Sequence, residues 1–114
     1  MRLTIELILQ APQYKSPSQN WTLNLRGCQL DTIENLGATG DFFEGLDLSD
    51  NQIIKLNNFP PLYRLNSLIV CNNRVTRIAP DLMTFLPNLE SLILTNNRIE
   101  HLVDLIPLFQ GEDN

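Results

Sequence analysis

Histidine occurs once and cysteine twice in these 114 residues, so the material from which metal centres and nucleophilic sites are assembled is scarce. No Cys or His spacing matches a metal site, and His101, just beyond Ile99, is expected to be solvated or locally bonded. Gly37, Gly40 and Gly45 lack the lysine and the strand-to-helix setting of a phosphate loop. Asp41 and Glu44 read as solvated surface acids. With no catalytic constellation and no cofactor motif, the sequence reads as a non-enzyme without a small-molecule substrate.

Positive charge is also in short supply. Eight Lys and Arg face 13 Asp and Glu, giving a formal net charge of -5 and a pI near 4.6. That balance argues against a protein that grips nucleic acid by itself through many phosphate contacts, and favours a basic partner. Arg74, Arg77 and Arg98 recur near the expected strand exits, within reach of a phosphate, although solubilising surface charge is the default reading. No apolar run approaches the length of a membrane span. Met1 to Gln10 is too short and, with Glu6, too acidic for a secretory signal. Cys28 and Cys71 fall in different roles, are expected to stay unbridged, and so suit a reducing, intracellular setting.

What the chain does have is repetition. The phrases FEGLDLSDNQI (Phe43 to Ile53), LNSLIVCNNRV (Leu65 to Val75) and LESLILTNNRI (Leu89 to Ile99) each end on an asparagine turn, at Asn51, Asn73 and Asn97. An earlier copy, NWTLNLRGCQL (Asn20 to Leu30), has Cys28 at that place, so the markers at 28, 51, 73 and 97 are spaced by 23, 22 and 24 residues. The shared pattern is L-x-x-L-x-L-x-x-N/C-x-L at a period of about 20 to 29 residues, that of a leucine-rich repeat solenoid. The fold class is therefore α/β: about four repeats stacked into a short parallel sheet on the concave face, in one domain over 1–114. Residues 1–19 form the N-terminal cap, 20–108 the repeats and 109–114 a tail.

Side chains alternate across a strand. Leu23, Leu25, Leu30, Leu46, Leu48, Ile53, Leu68, Val70, Val75, Leu92, Leu94 and Ile99 are expected in the core, with Leu56, Ile78 and Leu102 three residues after each last member. The ladder asparagines are expected to bond backbone groups otherwise orphaned and buried, with Cys28 a weaker substitute. Thr4 can cap a short helix through Gln10, with Leu7 and Ile8 covering the first repeat. Asn58-Phe59-Pro60-Pro61 and Phe85-Leu86-Pro87-Asn88 are turn signals, and Pro80 to Phe85 suits one helical turn.

The concave, solvent-facing side then carries Thr22, Asn24 and Arg26; Gly45, Asp47 and Ser49; Ser67, Ile69 and Cys71; and Ser91, Ile93 and Thr95. Ile69 and Ile93 share a register on adjacent strands and make an apolar patch, ringed by Ser67, Ser91, Thr95, Asn72 and Asn96. Isoleucine also suits any pleated surface, so strand propensity alone is the competing explanation. Asp47 and Asp50 lie to one side, placed to meet basic groups of a partner helix.

Three stretches go beyond a generic repeat: LNLRGCQLDTIENLGAT (Leu23 to Thr39), LDLSDNQIIKLNNFPPLYRLNSL (Leu46 to Leu68) and LPNLESLILTNNRI (Leu86 to Ile99). With the opening RLTIELI (Arg2 to Ile8), they resemble the leucine-rich A-prime proteins of the U2 small nuclear ribonucleoprotein. The segment Glu34-Asn35-Leu36-Gly37-Ala38-Thr39 is the most diagnostic, because the repeat architecture does not require it.

The resemblance implies a nuclear splicing role. It implies a heterodimer with the RNA-recognition-motif protein B-double-prime, a partner helix held on the concave sheet, and joint binding of a U2 RNA stem-loop. The matching concave positions are Asn24, Arg26, Asp47, Ser49, Ile69, Cys71, Ile93 and Thr95. The family continues past the DLxPL segment, here Asp104 to Leu108, into another repeat and a C-terminal cap. A stack lacking that cap, with apolar surface at Leu92, Leu94, Ile99, Leu102 and Leu105, is the corresponding expectation. An acidic leucine-rich nuclear regulator that binds histones or a phosphatase is the alternative, but its acidic tail is represented only by Glu112-Asp113.

Overall fold

The computed structural model describes residues 2–100. The readings of His101, Leu102, Leu105, the DLxPL segment and the 109–114 tail lie outside that range.

Thr4 opens α1 (Ile5–Gln10): its Oγ1 accepts the Leu7 amide at 3.2 Å, satisfying one of the donors that a helix start leaves free. Leu3 and Ile8 are buried against the first repeat, and Leu7 packs on the same core. The 1–19 cap also holds a strand that the sequence reading missed. β1 (Gln13–Lys15) runs antiparallel to β2 (Trp21–Asn24), pairing Gln13 with Leu23 and Tyr14 with Thr22. Its three residues are all exposed, so it leaves no alternating burial signature in the sequence.

From β2 the repeats stack in parallel through β3 (Gly45–Asp47), β5 (Ser67–Ile69) and β7 (Ser91–Ile93), giving the sheet order β1-β2-β3-β5-β7. The registers are unbroken: Thr22, Gly45, Ser67 and Ser91 form one rung, and Asn24, Asp47, Ile69 and Ile93 the next. Beyond the strand exits, β4 (Lys55–Leu56) and β6 (Arg77–Ile78) form a second, two-stranded parallel sheet. One helical turn, α2 (Leu82–Phe85), closes the third repeat inside the expected segment.

The core is that of the repeat pattern: Leu23, Leu25, Leu30, Leu46, Leu48, Ile53, Leu56, Leu68, Val70, Val75 and Ile78 are buried. Leu92, Leu94 and Ile99 are only half-buried, because β7 has a paired strand on one side alone among the described residues. Asn51, Asn73 and Asn97 each reach back one repeat. Asn51 Oδ1 accepts the amides of Cys28 (2.9 Å) and Leu30 (3.0 Å), while its Nδ2 donates to the carbonyls of Leu25, Leu48 and Ser49. Asn73 takes the Ile53 amide and Asn97 the Val75 amide, both at 3.0 Å. Cys28 manages one weak contact, Sγ to the Arg26 carbonyl at 3.5 Å, and half-burial raises its thiol pKa. Both cysteines are free.

The ENLGAT segment has a definite task. Glu34 accepts from Arg2 at 2.7 and 2.8 Å, and Asn35, in the left-handed region at φ 62°, donates Nδ2 to the Leu3 carbonyl at 2.8 Å. A 3-10 turn follows at Leu36–Thr39 and buries Leu36. The segment thus fastens the N-terminal cap onto the first repeat.

Candidate functional site

The residue before each ladder position adopts a left-handed conformation: Gly27 (φ 64°), Asp50 (φ 60°), Asn72 (φ 58°) and Asn96 (φ 61°). Gly, Asp and Asn are the residue types that tolerate this region. The turn lines the side chains of Asp50, Asn72 and Asn96 up along one rim of the concave sheet. Asn96 Nδ2 donates to Asn72 Oδ1 (2.8 Å), Asn72 Nδ2 to Asp50 Oδ1 (2.8 Å), and Arg26 Nη2 to Asp50 Oδ2 (2.7 Å). The Arg26 guanidinium, then the Asn72 amide, hold the Asp50 carboxyl below the usual carboxylate range. Asp50 is therefore committed inside the protein rather than left free for a partner's base.

Across the sheet floor, Asn24, Asp47, Ile69 and Ile93 divide into two halves. Asn24 Oδ1 accepts the Arg26 amide and Asp47 Oδ1 the Ser49 amide, each at 3.0 Å, so both polar side chains close on their own backbone two residues on. Asp47 is 3% exposed and Ser49 1%, and Thr22 and Gly45 are buried too, which corrects the reading of these four as solvent-facing. Asp47 lies 3.8 Å from Arg26, and Ser49 Oγ accepts the Cys71 amide at 3.1 Å. Arg26 is exposed above them, and Asn24 and Cys71 are half-buried.

Ile69 and Ile93 make no such closure. Ile69 is half-buried and Ile93 is 40% exposed beside it in the same rung, with Thr95 exposed one position on. The concave surface thus has a charged, internally satisfied end and an apolar, unsatisfied end. Gly45 keeps the floor low beside Thr22 at the charged end, since a Cβ there would stand 2.5 Å from Thr22 Oγ1. Tyr14, absent from the sequence reading, joins the charged end: it pairs with Thr22, is 38% exposed, and has its phenol pKa raised by burial and then by the Asp47 charge. Only a strand at 13–15 could have revealed it, and a three-residue exposed strand gives no periodicity.

Among the described residues no cluster of three His, Cys, Asp or Glu side chains could hold a metal, and no helix is long and apolar enough to cross a membrane. The arrangement offers a shaped binding surface.

A stacked parallel sheet with an asparagine ladder defines the class, and the sequence matches the leucine-rich repeat family over residues 1–112; the chain belongs to that family. Within it, its relatives are U2 small nuclear ribonucleoprotein A' proteins. It is 52% identical to that of Arabidopsis thaliana and to that of Homo sapiens, in each case over 95% of this chain and 43% and 42% of theirs. The Schizosaccharomyces pombe protein is 44% identical over 95% of this chain and 45% of its own length. The chain thus spans less than half the length of these relatives. In three dimensions it superposes on a chain of the Drosophila melanogaster SNF/U2A' crystal complex with a TM-score of 0.92 at 50% identity, covering 95% of this chain and 62% of that one.

Proposed function

We propose that this chain is a non-enzymatic interaction scaffold of the U2 small nuclear ribonucleoprotein, acting in pre-mRNA splicing in the nucleus. Its concave face holds a helix of the RNA-recognition-motif protein B-double-prime and so assists that partner's grip on a U2 RNA stem-loop. The observation that carries the reading is the Ile69–Ile93 rung: apolar surface in register on a concave floor whose neighbouring polar side chains in the same rung, Asn24 and Asp47, are bonded to their own backbone. A partner helix laid across it with an apolar stripe would bury that rung and place its polar flank over Arg26 and Tyr14. Similarity to A' proteins, one of them solved in a complex with SNF, supports the same direction.

The anchors proposed are Ile69 and Ile93, with Cys71 and Thr95 at their edge and Asn24 and Arg26 at the polar end. Asp47 and Ser49 shape the floor from below. The test is size-exclusion chromatography with light scattering on the chain mixed with the RNA-recognition domain of B-double-prime. A 1:1 complex is expected, and two separate monomer peaks at micromolar concentration would overturn the reading.

A further inference from the structure

Half of the chain's eight cationic side chains stand together on the flank just past the strand exits, away from the concave face. Lys55 and Arg77 are direct partners in the β4–β6 ladder, both exposed. Arg74 and Arg98 occupy successive rungs of the same flank, held by backbone bonds to the Ile53 carbonyl and the Val75 carbonyl, both at 3.0 Å. Rungs of a sheet lie about 4.8 Å apart, and three residues of extended chain span about 10 Å. The four cations therefore fill a strip of that size. Like charges directly opposite one another in a ladder disfavour the fold. Ion pairs among the described residues engage Arg2 and Arg26, and none reaches Lys55, Arg74, Arg77 or Arg98. Asp31 and Glu100, at the position of Ile54 and Thr76 in their repeats, fall at the two ends of the strip, and Asp31 acts on Arg2.

We infer that this strip is a docking site for a nucleic-acid phosphate backbone, separate from the concave face. The inference rests on the ribonucleoprotein reading above for its ligand class. Three of the four side chains are arginines, whose planar forks bind phosphate oxygens in pairs. The strip's one large exposed apolar residue is Ile54, too little for the apolar centre a peptide interface needs. An overall charge of -5 keeps such binding weak and confines it to this flank.

The test is fluorescence anisotropy of the whole chain with a labelled RNA hairpin between about 20 and 200 mM salt. The wild type should bind measurably at the low end, with log K falling by about 0.9 per log salt for each phosphate engaged. Arg74→Gln/Arg77→Gln should lower that slope by about 2 and weaken binding at least tenfold, whereas the charge-matched Lys15→Gln/Arg64→Gln should cost much less. No binding at 20 mM salt, an equal loss in both double variants, or preferential binding of a poly-glutamate peptide would each overturn the inference. Calorimetry of each variant with the B-double-prime domain separates the two readings. A wild type that binds the B-double-prime domain but shows no flank-dependent RNA binding sinks only the flank, and one that shows the flank effect but does not bind the domain sinks only the scaffold.

Discussion

Asn72 donates its side-chain amide to Asp50 Oδ1 at 2.8 Å and accepts that of Asn96 at the same distance, so one row of polar side chains runs from repeat to repeat up to Arg26. The row exists because all three residues sit in the left-handed region, which sends their side chains out along the rim while the next residue turns inward as the ladder asparagine. Backbone economy in the turn therefore fixes the electrostatics along the rim of the concave face. The exposed carboxylate of the rim is thus paired from within, which leaves the apolar Ile69–Ile93 rung as the surface proposed for a partner.

The inner ladder should be the costliest polar feature to remove. Asn51→Ala deprives the Cys28 and Leu30 amides and three carbonyls of their partner in a buried site. At about 1–3 kcal/mol for each group left unsatisfied, with partial relaxation, we expect a loss of about 3–5 kcal/mol in urea unfolding. Cys28→Ala should cost less than about 1 kcal/mol, since that side chain makes one weak bond. Similar losses in the two variants would contradict the assigned roles.

Core position along the stack should matter as much as side-chain type. Leu68, fully buried between repeats, should lose about 3–4 kcal/mol on truncation to alanine, and half-buried Leu92 about half as much. Denaturant midpoints of the two variants, compared at equal m-value, check the ratio.

Asp50 makes stability depend on pH with a defined sign. Its folded-state pKa lies below the unfolded value of about 3.9, so its contribution is complete above that value and is lost as the pH falls through the folded pKa. Asp50→Asn keeps the left-handed turn but gives up the charge paired with Arg26. The wild type should exceed the variant in stability at pH 7, and the gap should close below about pH 4. A gap that stays constant to pH 2.5 would show that the carboxylate's charge plays no part.

The like-charged Lys55–Arg77 rung offers a gain rather than a loss. Lys55→Glu turns it into an opposite-charge pair, and thermal unfolding at low salt should register a stabilisation of about 0.2–1 kcal/mol. If the inferred phosphate strip exists, the same change should weaken RNA binding, so stability and affinity would move in opposite directions.

Much of the fold was legible from spacing alone. Leucines at fixed offsets from Asn51, Asn73 and Asn97 revealed which residues face the core, because a strand's alternation leaves no freedom once the register is known. Thr4 was legible as a cap for the same local reason. β1 was not, since three exposed residues after Pro12 carry no pattern. Nor was the burial of Asp47 and Ser49: alternation tells which face a side chain takes, but a short polar side chain can fold onto the backbone amide two residues on and vanish from that face. Ile69 and Ile93 were read correctly as neighbours because they are too large and too apolar to do so.

The scaffold reading is tested most directly by comparing two identical substitutions on different faces. Ile93→Asp and Ile54→Asp each place a charge at an isoleucine of similar exposure, 40% and 47%, the first on the concave floor and the second on the flank. In calorimetric titration with the B-double-prime domain, Ile93→Asp should weaken binding by at least about 2 kcal/mol, roughly thirtyfold, as expected of a buried anchor, while Ile54→Asp leaves the affinity within about twofold. Equal affinities for the two variants, or a greater loss from Ile54→Asp, would contradict the assignment of the concave face.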